Sequence, residues 1–216
     1  MIRTVILDFD GTIGDTCGLI VRTMRQTLAE LGLPPHADGE CAATIGLPLR
    51  QCFVKLLGCD GPEAARCENK YRELFARNNA EYRVAVFPHV VETMRRLHGE
   101  GYTLAIASSR SRRSLLDFLA DMRLADVVRC VVASTDVEHA KPAPDMALRA
   151  LGETGGSAAE AIMVGDTWFD IEMGRRAGTL TCGVTYGNGS RRNLAAADFL
   201  IDDFADLAAV VNGQVK

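Results

Sequence analysis

Residues 4–16 read TVILDFDGTIGDT. The apolar, β-branched run Thr4-Val5-Ile6-Leu7 has the composition of a strand buried on both faces, and it ends on two acids, Asp8 and Asp10, with Gly11 after them. At about 3.3 Å rise per residue the two Cα atoms lie roughly 6.6 Å apart, and alternate residues project to the same side. Two bare carboxylates so placed repel each other and raise one pKa. A divalent cation removes the difficulty, and hard oxygen donors are what Mg2+ prefers. A solvated strand end closed by an Asp-Gly turn is the plainer alternative.

Beside the first run over 4–9, four others share its character: TLAIAS (103–108), VVRCVVAS (127–134), AIMVGD (161–166) and LTCGVT (180–185). Helical periodicity lies between the later ones, in 90–101, 111–122, 144–153 and 169–178. Strand and helix alternating at this spacing predict βαβ units and an α/β, Rossmann-like, doubly wound parallel sheet. Gly101, Gly152 and Gly178 stand where helix C-caps are expected. Residues 15–82 break the rhythm. Three helical stretches, 17–33, 48–58 and 62–82, follow one another with no convincing strand, and Pro34-Pro35 closes the first. This predicts an all-helical cap, 15–82, inserted into a discontinuous core made of 1–14 and 83–216. The tail from Asp198 reads as a short strand and a closing helix.

The 216 residues are 48% hydrophobic and 24% charged, ordinary for a globular chain. A net charge of −4 gives no reason to expect a nucleic-acid or anionic-membrane partner. No stretch approaches the ~20 apolar residues of a membrane span, and acid by residue 8 is unlike a signal peptide. Seven cysteines, at 17, 41, 52, 59, 67, 130 and 182, are odd in number and form no C-x-x-C pair. They are expected as free thiols in a reducing compartment, and the chain as cytoplasmic, with no specific protein partner.

The unusual polar residues gather at the carboxyl ends of the strands. Asp8 and Asp10 follow the first, Ser108 and Ser109 end the second, Lys141 lies in the loop DVEHAKPAP after the third, and Asp166 with Asp170 ends the fourth. Ligands in open α/β sheets bind outside those ends. Asp166 and Asp170, four apart at a helix start, share a face and suit the helix dipole; N-capping alone would also occupy Asp166. Ser108 and Ser109 precede a helix whose first amides would face the same opening, as an anion site or as an ordinary cap. Pro142 and Pro144 stiffen the loop around Lys141, which by itself would read as a solvated lysine. Convergence of four segments is harder to explain by chance than any one of them.

Taken together, these residues resemble the haloacid dehalogenase superfamily of phosphotransferases over nearly the whole chain. Its motif D-x-D-G-T-[LI] stands as Asp8-Phe9-Asp10-Gly11-Thr12-Ile13, its Ser or Thr after a strand as Ser108, its lysine as Lys141 in a K-P-x-P setting, and G-D-x-x-x-D as Gly165 to Asp170. The insertion resembles the helical cap of the phosphoglycolate phosphatase-like branch. The resemblance implies that Asp8 attacks phosphorus and becomes an aspartyl phosphate, while Asp10 protonates the leaving alkoxide and later deprotonates water. It implies Mg2+ bound by Asp8, the backbone carbonyl of Asp10, Asp166 and, directly or through water, Asp170. Ser108 would hydrogen-bond a phosphoryl oxygen and Lys141 would neutralise charge on it and on Asp8. Amides around Phe9 to Gly11 would complete the cradle, with Ser109 beside it. An acid at position 10 favours phosphoester chemistry over dehalogenation, because a halide needs no proton. Ser109 stands where many relatives have Asn, and GDT at 14–16 replaces the commoner x-D-S.

The cap stretch TIGLPLRQCF (44–53) resembles the specificity loop of such caps. Gly46 and Pro48 shape it, and Arg50 is the candidate for gripping a second anionic group of the substrate, or else a solvated helix residue. Arg110, Arg112 and Arg113 read as helix surface, His89 as local structure, His139 as a bystander near Lys141, and Trp168 as packing against core or cap. The loop YGNGSRRN (186–193) could flank the cleft. The expectation is a Mg2+-dependent phosphomonoesterase acting on a small phosphorylated metabolite, with phosphoglycolate the best single guess. Phosphosugar mutase, pyrophosphatase and nucleotidase activities belong to the same superfamily. A catalytically silent binding protein is the alternative from another class.

Overall fold

Thr4–Leu7 forms strand β1, buried at every residue. A strand with no wet face has to lie inside a sheet covered on both sides, and the elements that follow supply that sheet and its cover. The computed structural model describes residues 1–58, 60–82 and 84–214. Cys59, Arg83, Val215 and Lys216 lie outside the described residues, and with them one expected thiol, the second cap boundary and the end of the tail. After β1 come β2 (Gly14–Asp15), α1 (Cys17–Glu30), α2 (Asp38–Ala42), α3 (Leu49–Leu57), α4 (Pro62–Tyr82) and β3 (Ala85–Val86). Then follow α5 (Val90–Gly99), β4 (Thr103–Ser108), α6 (Arg112–Asp121), β5 (Val128–Ala133), α7 (Asp145–Thr154), β6 (Ala161–Gly165), α8 (Trp168–Ala177), β7 (Leu180–Val184), β8 (Phe199–Ile201) and α9 (Leu207–Val211).

Six strands make one parallel sheet in the order β5-β4-β1-β6-β7-β8. This is the doubly wound sheet that the alternation of apolar runs predicts. The chain moves outward from β1 through β4 to β5, then returns and moves the other way from β6, so the direction of winding reverses beside β1. Alternate strand residues feed two separate cores, as a period of two requires. Val5, Leu7, Leu104, Ile106, Ile162 and Val164 pack under α5, α6 and α9, with the cap's apolar residues joined to the same cluster. Ile6, Ala105, Ala107, Val132 and Met163 face α7 and α8. The second face is lined by small residues, and α8 comes closest at Gly174, where a Cβ would sit 2.7 Å from Met163 Cβ and 2.8 Å from Thr181 Cγ2.

The cap helices pack α1 on α4 and α4 on α3. Asn78 of α4 fixes the first pair by donating to Thr23 Oγ1 and Gln26 Oε1, both at 3.0 Å. The chain enters and leaves this region through a two-stranded antiparallel ribbon, Gly14 opposite Val86 and Asp15 opposite Ala85. Sequence periodicity misses the ribbon and the five-residue α2, both too short to show a period. It also misplaces one cap: Gly152 lies inside α7, and the helix ends at Gly155 with φ 72°. Gly178 closes α8 as expected, at φ 78°. Among the described residues no helix is long and apolar enough to cross a membrane.

Gly174 sets two effects of opposite sign against each other. Gly174→Ala gains about 1 kcal/mol of helix propensity, whereas overpacking a buried interface costs ~1–3 kcal/mol. Because the colliding atoms sit on a central strand and its neighbour, the packing cost should prevail. Urea unfolding of Gly174→Ala is expected to show a net loss of stability, and a gain would mean that α8 can lift off the sheet.

Candidate active site

Asp8 lies one residue beyond β1, its amide donating to Val164 O of β6 at 2.9 Å, at the point where the winding reverses. Lys141 reaches it from the loop after β5. The lysine side chain is fully buried, with Nζ 2.5 Å from Asp8 Oδ1 and 2.6 Å from Asp170 Oδ1. Asp170 accepts a capping-box pair on its other oxygen, from Thr167 N at 3.0 Å and Thr167 Oγ1 at 2.6 Å. Thr167 is therefore the N-cap of α8 and Asp166 is not. Asp166 turns to the sheet opening, where Oδ2 accepts from Asn188 N at 2.6 Å and Oδ1 from Thr12 Oγ1 at 3.4 Å. Oxygens of Asp8, Asp166 and Asp170 lie within 4.8 Å of one another.

These groups are buried, and burial shifts ionisation. Burial pushes the Asp8 carboxyl up to about 7, against the pull of Lys141. Burial also raises Asp166 well above the usual carboxylate range, and Asp170 and Asp8 add to the rise. Burial alone would lower Lys141, but Asp170 and Asp8 hold its ammonium above the ordinary lysine value. When all three acids are ionised they outnumber the one ammonium, which is why burial favours the protonated forms of Asp8 and Asp166 until a cation is present. An all-oxygen donor set with that excess of carboxylates fits a hard divalent cation such as Mg2+. Asp8 has an oxygen that Lys141 does not hold, and Asp166 Oδ1 is held loosely, by the 3.4 Å contact from Thr12 Oγ1. Both Asp170 oxygens are already held, which suits contact through water.

Glycines let the surrounding backbone close in. Gly11, at φ 86°, has no room for a Cβ because the Asp166 carboxylate and the Asn188 side chain occupy that space. Gly187 and Gly189 of the late loop meet Gly11 O and Asp166 in the same way. That loop does more than flank the cleft: Asn188 holds Asp166, and Tyr186 Oη donates to Thr12 O at 2.9 Å.

Asp10 points away from the other acids. Its carboxylate faces Arg110, whose Nη2 lies 2.5 Å from Oδ1 and whose Nε lies 3.2 Å from both oxygens. Only the Asp10 backbone is left as a metal donor. Arg110 is not helix surface: its side chain is 9% exposed and its guanidinium carbon lies 4.8 Å from the Phe75 ring centre, 5.0 Å from Phe118 and 5.6 Å from Phe9. The sequence gives little sign of this burial, because the three rings come from separate parts of the chain. Arg112 pairs with Asp136 at 2.8 Å and Arg113 is almost fully exposed.

The other expected residues fall as follows. Ser108 is buried, and its hydroxyl accepts from Arg110 N at 3.4 Å. Ser109 is engaged elsewhere, donating to Gly46 O of the cap at 2.6 Å. The Phe9 ring is buried against Phe118 with centres 5.2 Å apart, which leaves only its backbone to meet a ligand. The Gly11 amide donates to Gly14 O at 2.9 Å, so it is already used within the turn. Arg50 is half-exposed on the cap and pairs with Asp60 at 2.9 Å. Trp168 is 43% exposed, contrary to the expected packing, with its ring edge-on to Phe169. His89 and His139 pair with Asp203 and Asp145. A cavity of about 610 Å³ opens between the strand ends and the helices that follow β2, lined by Asp8, Asp10, Ser108 and Arg110 on one side and by Leu47 and Phe75 on the other.

Over residues 5–184 the chain matches the family described as Haloacid dehalogenase-like hydrolase. It belongs to that family. "Probable phosphatase IndB" of Dickeya dadantii is 34% identical, with the match covering 98% of this chain and 94% of that protein. "Pyrophosphatase PpaX" of Anoxybacillus flavithermus is 32% identical over 97% of each. The crystal structure of CbbY from Rhodobacter sphaeroides, in complex with phosphate, matches with a TM-score of 0.82 and 23% identity over 96% of each chain; at that identity the likeness is one of fold.

The charge balance can be tested through stability with a chelator present. Lys141→Gln leaves buried carboxylates without their ammonium and is expected to cost about 3–5 kcal/mol. Asp8→Asn removes one of three like charges and is expected to be at least as stable as the parent. Urea unfolding measures both, and a Lys141→Gln protein of unchanged stability would mean that the acids are neutralised by protons instead.

Proposed function

We propose that this family member is a Mg2+-dependent phosphoester hydrolase that works through an aspartyl phosphate on Asp8. The observation that carries the proposal is the buried Lys141 joining Asp8 to Asp170 beside Asp166, at the wall of a cavity that Asp10 also lines. Asp8 attacks phosphorus through the oxygen that Lys141 does not hold, and the bond to the leaving oxygen breaks. Asp10 gives that oxygen a proton, then takes one from the water that attacks the aspartyl phosphate and releases inorganic phosphate. Lys141 and Ser108 stabilise the phosphoryl oxygens. Bound Mg2+, held by Asp8, Asp166 and the Asp10 carbonyl with Asp170 behind, would offset the charge on Asp8 and the phosphoryl group. The helical cap, 15–82, closes the cavity from water while the intermediate exists.

The substrate class is a small phosphorylated metabolite, with phosphoglycolate the first candidate. A cavity of about 610 Å³ has room for it and for larger compounds. Inorganic pyrophosphate is the second candidate, favoured by several full-length relatives named Pyrophosphatase PpaX. A cytoplasmic setting suits the six described cysteines, all free thiols.

Phosphate release across a panel of phosphorylated metabolites, with Mg2+ and with Asp8→Asn as control, tests the proposal. Phosphoglycolate should be the preferred compound, Asp8→Asn and chelator should each remove the release, and Asp10→Asn should slow it by ~10²–10⁴. A preference for pyrophosphate would select the second substrate and keep the chemistry. No Asp8-dependent release from any compound would overturn the hydrolase assignment.

A further inference from the structure

Within the proposed hydrolase, we infer that Arg110 receives a second anionic group of the substrate, and that the Asp10 carboxylate fills its fork when no substrate is there. Arg110 presents Nε and Nη2 together to one carboxylate, the geometry in which guanidinium recognises carboxylate or phosphate. Its third nitrogen, Nη1, donates to Ser114 Oγ at 3.1 Å, and three aromatic rings fix the plane. The fork is thus held in one orientation whether or not Asp10 stays in it. One of those rings, Phe75, belongs to cap helix α4, so the cap helps to build the pocket.

Position and competition point the same way. Arg110 lines the same cavity as Asp8, so a substrate whose phosphoryl group meets Asp8 can place its remaining part against the guanidinium. The other arginines along that cavity are committed or wet. Arg50 pairs with Asp60 and Arg72 with Glu68, each about half exposed, and the Arg113 side chain is 93% exposed. A charge in solvent contributes little to recognition compared with a buried one. A carboxylate or second phosphoryl group on the substrate can take over the fork and free Asp10 from its cation. A neutral group in the same place offers no such exchange. Arg110 therefore selects for substrates carrying a second anion.

Calorimetric titration in the Asp8→Asn background, with Mg2+, tests this without turnover. The probes are phosphoglycolate and 2-hydroxyethyl phosphate, which differ by a carboxylate against a hydroxymethyl group. With Arg110 present, phosphoglycolate should bind about 30-fold more tightly, the size of one charge-assisted contact. Arg110→Gln should bring the two affinities together, and Arg110→Lys, which keeps the charge and guards against a folding defect, should retain part of the difference. Equal affinities with Arg110 present, or equal weakening of both probes in Arg110→Gln, would overturn the inference and leave Arg110 as a positioning residue for Asp10. Asp8-dependent hydrolysis with no preference for a second anion would defeat this inference alone. Anion-selective binding in a protein that hydrolyses nothing would defeat the hydrolase assignment and leave the Arg110 pocket standing.

Discussion

A single ammonium, Lys141 Nζ, holds the centre of this molecule together. It touches Asp8 and Asp170 with no access to water, and without it three carboxylates would face one another in a dry space. A buried ion pair is weak evidence for stability, since desolvation opposes the attraction. Its presence at the mouth of the sheet is better understood as a condition for chemistry. In the proposed function, the three acids give a divalent cation a reason to bind and the fixed ammonium gives a phosphoryl group a place to rest.

The parallel sheet makes that arrangement geometrically possible. β4, β1 and β6 are adjacent, so Ser108, Asp8 and Asp166 emerge side by side from three neighbouring strand ends. Winding in opposite directions from β1 and β6 opens a crevice there, as expected at a topological switch point. Three glycines then let the turn after β1 and the loop after β7 close on Asp166 more tightly than any side chain would allow. Each element is ordinary; the site results from their meeting at one edge.

The core was legible because burial on both faces forces long apolar runs, and runs of that kind survive in a single sequence as a visible pattern. Asp8 and Asp166 were legible for the opposite reason: each interrupts such a run at the carboxyl end of a strand, and Lys141 and Asp170 follow strands β5 and β6 in the next loop and helix. Arg110 was not legible. SRSRR looks like the wet start of a helix, and the burial of Arg110 comes from Phe75 of α4 and Phe9 beside Asp8, neither of which announces a contact locally. Arg50 was read from a loop that resembles a specificity loop, and its pairing with Asp60, in the short connection between α3 and α4, is a contact that no local pattern signals. The β2–β3 ribbon escaped because two residues cannot display an alternation.

The place of β1 in the sheet also bears on how the chain folds. Thr4 pairs with Thr103 on one side and with Ala161 on the other, so the strand that leads to Asp8 is made before either neighbour. Its partners are far along the sequence, and closing such distant contacts slows folding. During synthesis at about 5–20 residues per second, TVILDF waits unpaired while the helical cap, whose contacts are local, can already form. The strand leading to Asp8 thus waits longer for its first partner than any other strand of the six-stranded sheet, an exposed apolar edge on the nascent chain through all of that interval.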